Sequence, residues 1–416
     1  MNPIDLRQAR PRLALQIVAA LLSIFLAWVA LKPWVAKMAV SEPYTIDMLN
    51  RAIAVEPDNA HYHYLKGLLY LSDPESINLE QAKKSILRGI MNNPSNAAYW
   101  RRLYLIESAM GNILQAEKAI RRAVVLSPKD PETRWMLGNH YLLKGKKVEA
   151  LREMRFIMET FAGETVRAFP ILSMAANNDA GLILKEAIPD KIDIKREYLG
   201  YLMGRKDTAA AKLLWEDMAE RYPLDKKEKL CFIDYLIDEG AIEDAKKEWS
   251  DLTGTNRWEP VWNGGFEQET WSGGFDWRVD KIEGVAVNRV EGISFEGKHS
   301  LKVRFDGSRN IDFYHLRQLV PLKPDTKYRL TMQIRAEGLT TNGIRMELYG
   351  NGNCSFHTST DTVSGSVPWT KYQLEIKTPA GCSSGAIRLR REKSTKFNNL
   401  IAGDVWIDEV RLDEGK

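Results

Sequence analysis

The chain reads as a multidomain protein: an N-terminal transmembrane helix, an all-α solenoid of repeated helix pairs, then an all-β sandwich. Three observations predict this order. Leu13 to Leu31 carries no charge over 19 residues. From residue 45 to 253, apolar residues recur at helical spacing with a 34-residue repeat. After Gly254 the period drops from 3.6 to 2. A length of 416 residues gives room for two or three cores, and 44% hydrophobic with 27% charged residues is the balance of a folded chain. The net charge of +4 is small for this length and offers no electrostatic footprint for nucleic acid.

A helix over 13–31 rises roughly 28 Å, close to the hydrocarbon thickness of a bilayer. Arg7, Arg10 and Arg12 precede it and Lys32 and Lys37 follow. The basic excess at its start directs residues 1–12 to the cytoplasm. Trp28 and Trp34 suit an interfacial belt. A cleaved signal peptide is the rival, and it needs small residues at the last and third-last positions before the cut. Trp28 stands at that spacing from Ala30, and Trp34 from Ala36. A retained anchor is therefore expected, with everything after residue 35 outside the cytoplasm.

The helical region shows one clear unit in Leu137-Gly138, Tyr141, Gly145 and Ala150. The unit before it carries Trp100, Leu103, Gly111, Ala116, Ala123 and Pro128, one 34-residue period earlier. Gly67, Tyr70, Ala82 and Pro94 come before that, with extra residues in the turn near Pro74, and a half unit ends at Ala52 and Pro57. Small residues let two antiparallel helices approach and large ones fill the gap between them. These offsets resemble the tetratricopeptide pattern, strongly over 45–160. Gly200 with Gly204, Ala211, Trp215, Tyr235, Gly240 and Ala245 suggest further pairs to residue 253. The resemblance implies a concave groove that binds a partner protein, with Arg101, Arg102, Asn139 and His140 as groove or ordinary surface residues.

The final region, 258–414, alternates apolar and polar side chains. Leu301, Val303 and Phe305 alternate with Lys302 and Arg304, Tyr328 to Ala336 with Arg329 to Arg335, and Ile344 to Leu348 with Arg345 to Tyr349. Each strand buries one face, as in two packed antiparallel sheets. The phrases Asn263-Gly-Gly-Phe-Glu267, Leu322-Lys-Pro-Asp-Thr-Lys-Tyr-Arg-Leu330 and Asp404-Val-Trp-Ile-Asp-Glu-Val-Arg-Leu412 resemble the jelly-roll carbohydrate-binding modules appended to xylanases and cellulases. In that family the first and last phrases help to hold a structural calcium. This nominates Glu267 and Asp408, with backbone oxygens near Lys298, as metal ligands, or else as surface carboxylates at strand ends. Calcium needs six or more oxygens.

The family places its sugar site on the exposed face of one sheet, which nominates Tyr314, Arg335, Arg345, Tyr349 and Arg390, alongside Arg388, Glu347 and His315. Rings stack on apolar sugar faces, and guanidinium forks bind carboxylates bidentately, so an acidic polysaccharide is the specific expectation. A solvated sheet face, charged against aggregation, is the alternative. Cys354 and Cys382 both fall in this region: they pair if it lies in an oxidising space and are otherwise two unrelated thiols, while Cys231 sits in a helical pattern.

The six histidines are scattered, and no P-loop, dinucleotide or Cys–His arrangement appears. A non-catalytic role is expected. The whole resembles membrane-anchored repeat proteins of bacterial exopolysaccharide and O-antigen systems. That implies a single-pass inner-membrane protein with its domains in the periplasm, docking an envelope protein in the repeat groove and holding or sensing a glycan on the sandwich. A protein-assembly factor whose sandwich binds protein, and an enzyme acting on envelope glycans, are the alternatives.

Overall fold

The computed structural model describes residues 9–72, 77–255 and 258–415. Most of the expected cytoplasmic tail and the turn at Pro74 lie outside them. The chain forms two compact units, Met1–Tyr201 and Leu202–Lys416.

The first unit opens with α1 (Ala9–Met38), which runs on through Pro33 past the expected end at residue 31. Its segment Arg12–Met38 is long and apolar enough to cross a membrane, and side chains such as Leu21 and Phe25 are exposed along it. Then come α2 (Ile46–Val55), α3 (Ala60–Ser72), α4 (Leu79–Asn92), α5 (Ala97–Ala109), α6 (Ile113–Leu126), α7 (Pro131–Leu143), α8 (Lys147–Thr160), α9 (Thr165–Ala176) and α10 (Ala180–Glu186). The cut between the units falls inside α11 (Ile192–Gly204).

The small residues of the repeat do what their spacing implies. Ala82, Ala116, Ala123 and Ala150 are wholly buried. Gly67 lies so close to α4 that a Cβ there would stand 2.7 Å from Ile86 Cδ1. Gly111 and Gly145, one period apart, both end their helices with positive φ, 77° and 69°. Asp130 caps α7 by accepting from Thr133 N at 3.0 Å, with Pro131 in the first turn.

The second unit contains α12 (Thr208–Arg221), α13 (Lys226–Asp238) and α14 (Ile242–Thr253). The 34-residue period continues here. Lys206 and Gly240 turn with φ of 60° and 76°, Ala211 and Ala245 are both wholly buried, and Trp215 and Trp249 are buried too. The pattern weakens in the sequence after residue 160 because α10 has only 7 residues where α8 and α12 have 14. That short helix shifts the phase of everything after it.

Nine strands follow among the described residues: β1 (Arg278–Val279), β2 (Val285–Glu291), β3 (His299–Asp306), β4 (Phe313–Pro321), β5 (Lys327–Gly350), β6 (His357–Ser359), β7 (Val363–Lys377), β8 (Ser384–Arg391) and β9 (Ala402–Glu414). Every pairing is antiparallel. One sheet is ordered β1-β4-β8-β5-β6 and the other β2-β3-β9-β5-β7. The 24-residue β5 serves both: its first half pairs with β7 and β9, its last third with β8 and β6. Even-numbered residues from Tyr328 to Ala336 and from Ile344 to Leu348 fill the core with Phe305, Phe313, Ile387, Leu389, Val405 and Ile407. The Asn263–Glu267 phrase docks on the last strand. Val410 N donates to Gly264 O at 2.9 Å, and a Cβ on Gly264 would stand 2.0 Å from Val410 O. Cys354 and Cys382 are joined as a disulfide with Cα atoms 4.9 Å apart.

Helices α13 and α14 share a core with residues 258–278. Trp249 is fully buried among Trp262 at 5.6 Å, Trp271 at 5.5 Å and Phe275 at 6.0 Å, by ring centroids. Asp234 of α13 accepts from Gly274 N at 2.7 Å and Arg278 Nη2 at 2.6 Å. A fragment beginning at Leu202 is therefore expected to unfold in one cooperative transition. A fragment beginning at Trp258, or Trp249→Ala in the whole chain, loses roughly 3–5 kcal/mol from this unit. Chemical denaturation of the two fragments and the variant checks this; equal stability of both fragments would make the Trp249 packing incidental.

Candidate functional site

The face nominated by sequence divides between the two sheets. On the outer face of β4, β8 and the last third of β5, register sets Arg345 beside Arg390 and Glu347 beside Arg388. The Glu347 side chain is 1% exposed and central. It accepts from Arg345 Nε at 2.9 Å and Arg388 Nε at 2.8 Å, with His357 Nε2 at 3.4 Å. Burial pushes its carboxyl up, but Arg388, then His357 and Arg345, outweigh that and hold it below its ordinary value. Arg345 also reaches Glu392 at 2.8 Å, and Arg390 pairs with Asp312.

Two ring–cation pairs complete the face. The Arg388 guanidinium lies 4.4 Å from the Tyr349 ring centre, and that of Arg390 lies 5.9 Å from Tyr314. Tyr314 is 45% exposed and stacked on His315 with centroids 4.4 Å apart. The two tyrosines sit on the strands flanking β8, Tyr349 level with Ala386 and Tyr314 beside Arg390 nearer the other end of that strand. The structure thus places Tyr314, Arg345, Tyr349 and Arg390 on one face with Arg388 and Glu347 between them, and adds His357.

Arg335 is not with them. It shares the parity of Arg345, but β5 has by then passed from one sheet to the other, through register shifts between Ile334 and Ile344. It lies beside Trp406 on the opposite outer face, its guanidinium 5.2 Å from that ring, and pairs with Glu337. Alternation along a strand identifies a face only while the strand stays in one sheet. Among the groove candidates, His140 is buried, edge-on to Tyr104 at 5.7 Å, and Arg101 pairs with Asp130 and Glu132.

Glu267 and Asp408 flank one loop, residues 293–299. Glu267 Oε1 accepts from Lys298 N at 2.8 Å and His299 N at 2.9 Å, and Oε2 lies 3.0 Å from His299 Nδ1. Asp408 Oδ2 accepts from Phe295 N at 2.7 Å and Glu296 N at 3.2 Å, and Oδ1 from Glu409 N at 2.8 Å. Every carboxylate oxygen thus faces an N–H or imidazole nitrogen. These residues do not fit a calcium cage: two carboxylates already engaged with amides and an imidazole fall well short of the six or more oxygens that calcium takes. The His299 ring and its amide hold Glu267 down at about 2, whereas burial lifts Asp408 to about 6. Burial likewise lifts Asp276, which accepts from Trp277 N at 2.7 Å, to about 6.

No known family model matches the chain, and no curated protein does. Solved structures resemble parts of it. One described as a CBM4 aligns with 37% of this chain and 99% of its own length at 15% identity and a TM-score of 0.29. A crystal structure of MamA aligns with 40% of this chain and 88% of its own at 17% identity and a TM-score of 0.31. A thermophilic TPR protein of Thermus thermophilus aligns with 32% of this chain and 71% of its own at 22% identity and a TM-score of 0.28. The elements themselves define a tetratricopeptide-like solenoid with an apolar N-terminal helix, followed by a β-sandwich.

Two solution tests follow from the carboxylates. Calcium is expected to leave the melting temperature of the chain unchanged relative to chelator; a rise of several degrees, absent in Asp408→Ala, would restore the cage. A carboxyl raised in the folded state binds its proton more tightly there, so its stabilisation is full below about 3.8 and lost as pH climbs through about 6. Melting temperature is expected to fall from pH 4 to pH 6.5, with Asp276→Asn and Asp408→Asn each flattening part of the slope. An unchanged slope in both variants would assign the pH dependence elsewhere.

Proposed function

We propose that the chain is a non-catalytic, membrane-anchored periplasmic scaffold of polysaccharide synthesis or export. Its repeats dock an envelope protein and its sandwich binds or senses a glycan. The observation that carries the glycan reading is the outer face of β4, β8 and β5, where two ring–guanidinium pairs, Tyr314 with Arg390 and Tyr349 with Arg388, flank one strand. Rings offer stacking surface to a pyranose, and guanidinium edges offer paired N–H donors to uronic carboxylates or hydroxyls. The disulfide supports an oxidising compartment, and the exposed apolar α1 supports an anchor.

One observation favours a second reading, a protein-assembly factor whose sandwich binds protein. Each guanidinium on this face already holds a carboxylate: Arg345 and Arg388 hold Glu347, and Arg390 holds Asp312. An acidic ligand must compete for those forks.

Affinity electrophoresis through acidic and neutral polysaccharide gels separates the two readings. Retention by the acidic gel is expected. It should weaken at about 0.5 M salt, where the Debye length is ~4 Å, and weaken further on Arg345→Ala with Arg390→Ala. Tyr349→Ala should weaken it at either salt, because stacking is not screened, while Arg335→Ala on the other sheet leaves it unchanged. No retention, or retention that survives the loss of both arginines and Tyr349, gives precedence to the protein-assembly reading.

A further inference from the structure

The outer face of β2-β3-β9-β5-β7 carries rings that the proposed glycan face does not use. Trp406 is only 2% exposed, covered by Lys302 Nζ at 4.7 Å and Arg335 at 5.2 Å from its centre. Its faces are taken. Trp369 on β7 and Phe295 in the loop before β3 differ. Their rings meet at 6.2 Å with planes inclined by 66°, and Phe295 is 49% exposed.

The loop that presents Phe295 is held on both sides. Asp408, wholly buried, accepts from the amides of Phe295 and Glu296, and Glu267 accepts from those of Lys298 and His299. With its backbone pinned this way, the Phe295 ring stays at the surface instead of withdrawing. The carboxylates nominated for calcium thus serve to fix an aromatic edge.

Depressions open on either side of the ring pair. One of about 360 Å³ lies between Arg335, Glu337, Ser366 and Trp369. The other, about 140 Å³, is bordered by Phe295, Thr331, Gln333 and Lys371. Both are shallow, and both mix a ring with hydroxyl and charged groups, the second with the Gln333 carboxamide as well. Charge is largely cancelled locally: Arg335 pairs with Glu337, and Arg411 with Glu409 and Glu296. An apolar helix laid here would strand those polar groups without partners. A saccharide supplies apolar ring faces and hydroxyls together, and a neutral one meets no ionic requirement.

We propose that the Phe295–Trp369 edge is a second ligand site, on the opposite side of the sandwich from Tyr314 and Tyr349, which takes an extended neutral saccharide with one segment in each depression. The inference stands apart from the acidic-glycan face, since it uses other residues and a ligand of other charge.

Calorimetric titration of the full chain in detergent tests it, with cellohexaose, xylohexaose and mannohexaose as neutral probes and hexagalacturonate as the acidic one. At least one neutral probe is expected to bind with the same affinity at 0.05 and 0.5 M salt. That affinity should drop roughly tenfold or more in Phe295→Ala and in Trp369→Ala, persist in Phe295→Tyr, and remain unchanged in Tyr314→Ala and Tyr349→Ala. Melting curves accompany each variant; if Trp369→Ala unfolds the sandwich, Phe295→Ala decides, because its exposed ring carries little packing. The site is overturned if no neutral probe binds, if Phe295→Ala binds as well as wild type, or if only Tyr314→Ala and Tyr349→Ala lose binding. Binding of hexagalacturonate alone, lost with Arg345 and Arg390, would leave the first face standing and remove the second.

Discussion

The sandwich depends on one strand. β5 pairs with β7 and β9 along its first half and with β8 and β6 along its last third, so both sheets hang on the same 24 residues. Its inward residues, from Tyr328 to Leu348, supply a large part of the shared core. Its outward residues are thereby committed to opposite surfaces: Arg335 to one, Arg345, Glu347 and Tyr349 to the other. The register shifts between Ile334 and Ile344 are where the strand changes partners, and bulges of this kind bend a strand without ending it. What each face can bind is therefore fixed by where β5 turns.

Both faces are rich in charge, yet little of it is free. On one, Glu347 gathers Arg345, Arg388 and His357; on the other, Asp404 holds Lys302, and Glu337 holds Arg335. A carboxylate 1% exposed among two guanidiniums is costly to leave unpaired, so this network fixes its rings and forks before any ligand arrives. Such a surface resists aggregation and presents its aromatic groups at set positions.

Much of this was legible in the sequence. The uncharged run before Leu31, the 34-residue spacing of Leu103 with Leu137 and of Ala116 with Ala150, and the alternation from Tyr328 to Ala336 set the order of the three parts, because burial imposes those periods directly. Cross-strand partners were not legible. Nothing in the local pattern pairs Arg388 with Glu347, or Phe295 with Trp369, since those meetings depend on register between strands far apart in the chain. The split of Arg335 from Arg345 was hidden for the same reason, as parity survives a change of sheet while the direction a face points does not. Glu267 and Asp408, nominated from the opening and closing phrases, both accept from the backbone of one loop. Whether their oxygens meet amides or a cation depends on the conformation of that loop, which no spacing encodes.

The join between helices and sandwich follows from the same repeat logic. Trp215 and Trp249 occupy equivalent positions one period apart. Trp215 stacks on Phe232 of the next helix, with ring centres 4.2 Å apart. Trp249 belongs to the last pair, and no further repeat follows to cover it. A solenoid must end in a cap, because each repeat buries its apolar face only against a neighbour. Here the cap is the opening of the sandwich: Trp262, Trp271 and Phe275 surround Trp249, and Asp234 holds Gly274 and Arg278 beside them. Residues 258–278 thus take the place of the missing helix. They connect the last repeats to a rigid sandwich through a buried core instead of a free linker, so a partner bound at α13 or α14 would be held at a fixed position relative to both outer faces of the sandwich.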